Sequence, residues 1–458
     1  MKRAPARFGS WAFTLAALGS AACASYEAQR LLDKPAAAPP WARDAPRLRT
    51  ATEALHRAAP SPAPIEVDIS DGLSPDEAGV LAVRLNPELV AARDAHSEGQ
   101  AQILMAAVLP NPVLGAGINQ PFGPSSAGTN TSTNLSLAID LKPYVARSAR
   151  ERAAAAGLAQ IDLGIAWQEW QIAEQARLLV VRLGWIRKRL KLAREELDFA
   201  EQTATSIAAA GRVGDTTLEQ VGVQRAALEG VRRVLTQLEQ ADVDTESALR
   251  ALLGNPELEK LEVDEPSTSS SRELVTTSVD ACLEGRLDLA ALRRGYDAAE
   301  EQLRAAVLDQ FPAVTVGVAY QRNETALNFI GGFINVELPV FNHNQYRVQL
   351  GVASRRRLEH EYDARVARTR AELDQLSRFY TLVARQLAEL QRSLGPLEEI
   401  ELQERTAVAH GDISRMSYQI VRGALFDQRL QDAAVSQALA EVRIGIETTC
   451  GGEPGGRP

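Results

Sequence analysis

The sequence predicts a mostly α-helical chain with a small β part, built from one helix–strand–strand–helix unit given twice. Three observations carry this. Residues 86–120 and 286–320 run in parallel without a gap, 200 positions apart: Leu89 matches Leu289, Ala91 matches Ala291, Arg93 matches Arg293, Pro112 matches Pro312 and Gly117 matches Gly317. Self-similarity at so long a period is evidence of architecture. Residues 144–255 contain no proline, and within them Leu183, Ile186, Leu190, Ala193, Leu197 and Ala200 step by 3 and 4, which is the seam of a coiled coil. Between the helical stretches, short segments alternate apolar with small or polar residues at the period of two that marks strands.

The bulk composition agrees. Of 458 residues, 45% are hydrophobic but only 5% aromatic, with three Met, the balance of long helices rather than of a β-rich globule. A net charge of −9 leaves no electrostatic footprint for nucleic acid, so that partner is not expected. After the N-terminus no apolar run of about 18 residues occurs, so no spanning helix is expected in the mature chain. Closed β-barrels also span membranes, with a weaker sequence signal.

Residues 1–22 read as an export signal: Lys2, Arg3 and Arg7 precede a short apolar stretch, followed by Gly19-Ser20-Ala21-Ala22-Cys23. Small residues before a lone Cys point to lipidation of Cys23, although Ser20 stands where an aliphatic residue is usual. Ala22-Cys23-Ala24 also satisfies an ordinary A-x-A cleavage site. A Pro/Ala-rich segment follows at 23–70 and cannot form one long helix. The expected order is then a first repeat at 71–254, a linker at 255–285, a second repeat at 286–447 and a disordered tail at 448–458.

The first repeat opens at Ser74-Pro75-Asp76-Glu77, with Ser as N-cap, Pro at the first helical position and a carboxylate in place to close the box. One helix is expected from there to about Val108, stopped by Pro110-Asn111-Pro112. The long helix after Pro143 runs to about Ala209, roughly 100 Å at 1.5 Å per residue, which no compact globule holds. Leu376, Tyr380, Val383, Leu387, Leu390, Leu394 and Leu397 repeat the seam in the second half, where Pro396 is expected to bend it. Glycine-centred breaks at 210–215 and 410–414 turn each long helix back on itself, with Asp215 or Ser414 as cap of the next helix. The returning helices are expected to end near Leu253 and Glu447.

Strands are expected at 113–118, at 135–141, at 314–321 and at 334–340. In the third, Val314, Val316, Val318 and Tyr320 face one way; in the fourth, Ile334, Val336, Leu338 and Val340 do. Strands apolar on one face and small or polar on the other fit a wall between lipid and lumen, with outer loops at 122–132 and 322–328. Four strands cannot close a barrel, so this reading requires several copies. Asp140 and Glu337 fall on the inward faces as lumen-facing candidates.

Export places Cys282 and Cys450 in an oxidising compartment. They either pair as a disulfide or remain two thiols; two Cys do not make a zinc site. Five scattered histidines show no ligand spacing, and there is no Walker loop, dinucleotide fingerprint or nucleophile elbow. His343 is read as a turn residue. No enzyme activity, metal site or cofactor is expected.

The duplicated unit resembles the TolC-type outer membrane efflux protein family over about residues 70–447. The resemblance rests on LSPDEAGVLAVRLNPELVAAR at 73–93, AAVLPNPVLGAG at 106–117, LRALLGNPE at 249–257, RLDLAALRRGYDAAEEQL at 286–303 and VELPVFNHNQ at 336–345, with the glycine-centred tips. It implies a homotrimer in which four strands per chain make one 12-stranded outer membrane β-barrel above a periplasmic coiled-coil tunnel. It also implies that Gly211, Arg212, Val213, Gly411, Asp412 and Ile413 form tips where a membrane-fusion adaptor docks. The first tip departs from the familiar pattern by its second glycine, Gly214. The lipoprotein-like start is similar to the branch that partners with resistance-nodulation-division pumps, heavy-metal exporters among them. The expected function is a passive exit duct in a tripartite efflux system, in contact with outer membrane lipid. A type I protein secretion duct, distinguished by an ATP-driven partner pump, and an exported coiled-coil scaffold, extractable by salt alone, are the alternatives.

Overall fold

A computed structural model describes residues 72–123, 128–254, 261–266 and 278–451. The expected signal at 1–22, Cys23, the segment 23–70 and the end of the tail lie outside the described residues, as do parts of the linker.

The first repeat comprises α1 (Pro75–Leu85), α2 (Pro87–Ala107), β1 (Val113–Asn119), β2 (Ser132–Asp140), α3 (Lys142–Val213) and α4 (Leu218–Leu252). The second comprises α5 (Val279–Gly285), α6 (Leu287–Leu308), β3 (Val314–Arg322), β4 (Asn328–Val336), α7 (Gln345–His410) and α8 (Arg415–Cys450). At 72 residues, α3 is about 108 Å long at 1.5 Å per residue.

The single helix expected from Ser74 to Val108 is two. Ser74 and Glu77 form the expected capping box, with Pro75 at the start of α1. Pro87 then forces its predecessor out of the helical region: Asn86 sits at φ −62°, ψ 121°. Its side chain accepts from the N–H groups of Glu88 and Leu89, at 2.9 and 3.1 Å, and caps α2. Its amide donates to the Leu252 carbonyl at 2.9 Å and so fixes the joint against the end of α4.

The core is strung along the rod. Leu73, Leu81, Leu179, Val180, Leu183, Leu249 and Leu261 close a cluster where α1, α3, α4 and the segment 261–266 meet. Ile186, Leu190, Ala193, Leu238 and Phe426 close the next, among α3, α4 and α8. The seam in α3 is buried as expected except at Leu197, which is half-buried. The matching seam in α7 is not. Of its seven residues only Val383 is buried. The reason is neighbours: α3 lies against both α4 and α8, whereas among the described residues α7 packs along its seam on α8. The helix assignment of α7 runs through Pro396 without interruption.

The four strands form one antiparallel sheet in chain order, β1-β2-β3-β4. The fourth strand lies earlier than expected, so Glu337, Leu338 and Val340 fall outside it. Residues 328–333 (NFIGGF) supply enough apolar and aromatic residues for a strand, and Pro339 cannot donate to a ladder. The last helix runs to Cys450 rather than Glu447.

Candidate functional site

Among the described residues, two regions leave chemistry without a partner: the sheet at one end and the helix tips at the other.

In the sheet, the cross-strand register gathers the apolar residues onto one face. Ala116, Leu135, Tyr320 and Ile330 make one row; Leu114, Leu137, Val318 and Gly332 the next; Ile139, Val316 and Ile334 a third. Among the described residues nothing covers this face: Ile330 is 86% exposed and Ile334 69%. The opposite face carries Gly115, Ser136, Ala319 and Gly331 in one row and Gly117, Asn134 and Gln321 in another. Phe329 and Phe333 of β4 also belong to it, and sequence reasoning missed both. Phe333 lies over Gly317, where an added Cβ would stand 2.5 Å from its Cζ. The signal was their parity with Asn335 along the strand.

Asp140 lies on the small and polar face, paired across the ladder with Thr315. Its carboxylate accepts from the Lys142 N–H at 3.0 Å, which ties it to the start of α3. Glu337 is exposed one residue past β4, its N–H donating to Ala313 at 2.9 Å. The outer strands β1 and β4 each have one ladder neighbour, so each presents an open edge.

At the other end the tips are not built alike. Gly411 ends α7 in the left-handed conformation at φ 84°. The position 200 residues earlier, Gly211, is still helical; α3 continues to Val213 and Gly214 takes the left-handed role at φ 87°. Gly211 serves packing instead, since an added Cβ would lie 2.9 Å from Val221 Cγ2. The cap of α4 is Thr217, boxed with Gln220, not Asp215; Ser414 caps α8 as expected. Val213 is 73% exposed, but Ile413 is half-buried. On the flanks, Leu218, the first residue of α4, is 89% exposed, and Ile420, between one and two turns into α8, is 71% exposed. Sequence reasoning missed them because it looked for the turn and not for its flanks. Arg212 and Asp412 are exposed.

Just inside the tips, α8 is tied to α3. Arg422 donates to the buried Glu196 at 2.9 Å and its guanidinium lies 4.0 Å from the Phe199 ring centroid. Phe199 meets Tyr418 edge to face at 5.6 Å, and Tyr418 donates to Glu401 of α7. Burial raises the Glu196 carboxyl, an effect the Arg422 hydrogen bond offsets in part.

At mid-length, Glu174, 3% exposed, pairs with Arg177 at 2.8 Å, and Arg177 reaches Asp76 of α1 and Glu447 of α8. Arg182 grips Glu441 through two hydrogen bonds, at 2.9 and 3.1 Å. Burial acts to raise the Glu441 carboxyl, but these bonds and one from Gln437 outweigh it and hold it below its usual range. The sulfurs of Cys282 and Cys450 are joined, which fastens the end of α8 to α5. Arg286 donates to the Thr449 carbonyl at 2.6 Å and stacks on Trp167 at 4.6 Å, beside that bond. Among the described residues no group of acids, His and Cys could hold a metal ion, and no helix is long and apolar enough to cross a membrane.

No sequence-family model and no curated protein matches the chain. Solved structures do. CusC, described for transmembrane channel formation, superposes with a TM-score of 0.68 at 18% identity, over 83% of this chain and 93% of that one. The outer-membrane channel OprN gives 0.69 at 15% identity, over 94% of this chain and 100% of that one. VceC, an outer membrane protein of Vibrio cholerae, gives 0.65 at 16% identity, over 82% and 96%. The fold of this chain is that of the TolC-type outer membrane channels, a long helical part carrying a four-stranded sheet.

Proposed function

We propose that this chain is one subunit of a homotrimeric outer membrane exit duct that conducts cargo expelled by an inner-membrane pump. The carrying observation is the sheet: two open edges, one bare apolar face and one small or polar face. A lone sheet of this kind is an aggregation template in water. Three copies give twelve strands, whose closure removes every edge and turns the apolar faces toward lipid. The long helices then hang into the periplasm as a tunnel.

Transport is passive: the pump supplies the energy, and bore and lining charge select the cargo. Asp140 and Glu337, tripled, are acidic groups along the inner wall. The tips receive a periplasmic membrane-fusion adaptor, with Gly211, Arg212, Val213, Gly411, Asp412 and Ile413 joined by Leu218 and Ile420 in the contact. The lipoprotein-like start at Cys23 supports a resistance-nodulation-division pump as energy source. The Cys282–Cys450 bond suits a chain that folds in an oxidising compartment.

The test is membrane fractionation followed by sizing in detergent. A detergent-requiring outer membrane species of three chains is expected. A soluble periplasmic monomer or dimer would remove the barrel and the duct with it.

A further inference from the structure

Two phenyl rings stand on the face of the sheet that is otherwise small or polar. Phe329 and Phe333 of β4 pair across the ladder with Gln321 and Gly317, whereas Ile330 and Ile334 pair with Tyr320 and Val316 on the bare apolar face. Alternation along the strand therefore turns the two rings away from that apolar face. Phe329 is 52% exposed and Phe333 is half-buried. The floor beneath Phe333 is small. A Cβ at Gly317 would stand 2.5 Å from Cζ and 2.7 Å from Cε1 of Phe333, so glycine there lets the ring lie against the backbone of β3. Ala138 pairs with Gly317 across the ladder, Ala319 follows it on the same face, and Gly331 lies between the two Phe on β4.

Charge on this face has one sign. Among the described strand residues that share it, Asp140 is the charged one; Arg322 falls on the other parity, opposite Thr133 and Asn328. Asp140 pairs with Thr315, one row on from Gly317 and one strand over. At about 3.3 Å per residue and 4.8 Å per strand, that is roughly 8 Å from the position Phe333 covers. The face of an aromatic ring carries negative charge density and a carboxylate a full negative charge, so both attract a cation and neither attracts an anion. The remaining groups on this face, Ser136, Asn134, Gln321, Thr315 and Asn335, are neutral.

The geometry points to a cargo-contact site on the small and polar face, in which Phe329 and Phe333 hold the ammonium group of an organic cation by cation–π attraction and Asp140 adds its charge. This rests on the duct proposed above, where that face is the inner wall and each subunit brings one such site to the bore. It adds a preference of the wall for organic cations over neutral or anionic molecules of the same size. The site is shallow and open, which suits a pore: cargo must be bound weakly enough to leave.

The test is protection of a nearby thiol in the full-length trimer. Asn335→Cys is expected to react with a neutral water-soluble thiol reagent and Ile334→Cys, on the apolar face, to stay unlabelled. Three probes that share a ring and differ in charge are then compared: benzyltrimethylammonium, benzyl alcohol and toluenesulfonate. The cation is expected to slow labelling of Asn335→Cys at the lowest concentration and the sulfonate not at all. Phe329→Leu with Phe333→Leu keeps apolar volume and removes the rings, and is expected to raise the half-protecting concentration of the cation about threefold while leaving that of benzyl alcohol unchanged. Asp140→Asn is expected to act in the same direction on the cation alone. If the double variant forms no trimers, Phe329→Leu by itself carries the test, and protection by the cation that it leaves unchanged overturns the site. Equal effects of the three probes, no protection by any, or cation protection that survives loss of both rings would overturn the site and leave the duct standing. Labelling of Ile334→Cys in place of Asn335→Cys would reverse the faces and overturn the site; a parent chain that forms no trimers would sink site and duct together.

Discussion

Glu441 shows how single residues set the conditions under which this rod holds together. Its carboxyl is held below the usual range against burial by Arg182 and Gln437. A carboxylate with a depressed folded pKa adds stability that is present above its unfolded pKa, near 4.5, and is lost as pH falls through the folded value. Glu441→Gln is therefore expected to cost about 1–2 kcal/mol near pH 7. The gap to the parent should close below about pH 4.5. Thermal midpoints in detergent across that range measure it, and a gap independent of pH would reject the charge as its source. Gly214 and Gly411 carry a different constraint. Both hold φ near +85° with open space where a Cβ would go, so only backbone strain opposes a side chain. Gly214→Ala and Gly411→Ala are each expected to destabilise by about 1 kcal/mol, with Asn tolerated better, measured as the midpoint of protease resistance at the tips. Gly211→Ala acts by another route, through the clash with Val221.

At the scale of the element, the sheet faces differ in what they can tolerate. Ile334 lies on the bare apolar face and Asn335 on the other. A Lys on the lipid side of a barrel costs about 2–4 kcal/mol near the midplane and less toward the interfaces. Ile334→Lys is expected to cut outer membrane assembly sharply, while Asn335→Lys leaves it near the parent level; heat-modifiable trimer bands in membrane fractions read the difference. Equal losses in both would mean that the two faces are not lipid and lumen. The helices show the same dependence on surroundings. The seams of α3 and α7 have the same spacing, yet only the first is closed within one chain, because α3 packs on both α4 and α8 whereas α7 packs on α8 along its seam. Heptad spacing names the residues of a seam and not the number of helices that share it.

At the scale of the molecule, the proposed duct gives the two ends different partners: other copies of the chain at the sheet end, a protein of another kind at the tips. Leu218 and Ile420 project from the tip flanks at 89% and 71% exposure. Leu218→Asp with Ile420→Asp is expected to leave trimers intact in detergent and to abolish capture of the periplasmic adaptor by cross-linking in cells. Retained capture would move the contact away from these flanks; lost trimers would make the residues structural.

By itself the sequence determined the duplication, the long helices, the tips and the strand-bearing segments, because each is written in local spacing. Periods of two and of three to four, a Ser-Pro-Asp-Glu start, and a glycine near a helix end are all statements about neighbours along the chain. It misplaced the joint at Asn86, where Pro87 outweighs a continuous apolar pattern, and it placed the fourth strand late, where apolar alternation continues past Val336 to Val340 without a ladder partner. It took Gly211 for the turn that Gly214 makes, because a repeat matches residues and not the length of a helix that runs on. Two outcomes needed the tertiary structure. The joining of Cys282 to Cys450 depends on α5 and the end of α8 arriving side by side across 168 residues. The bareness of β1 and β4 depends on which elements found partners within one chain. Burial and pairing are properties of three-dimensional neighbours, which spacing along the chain does not name.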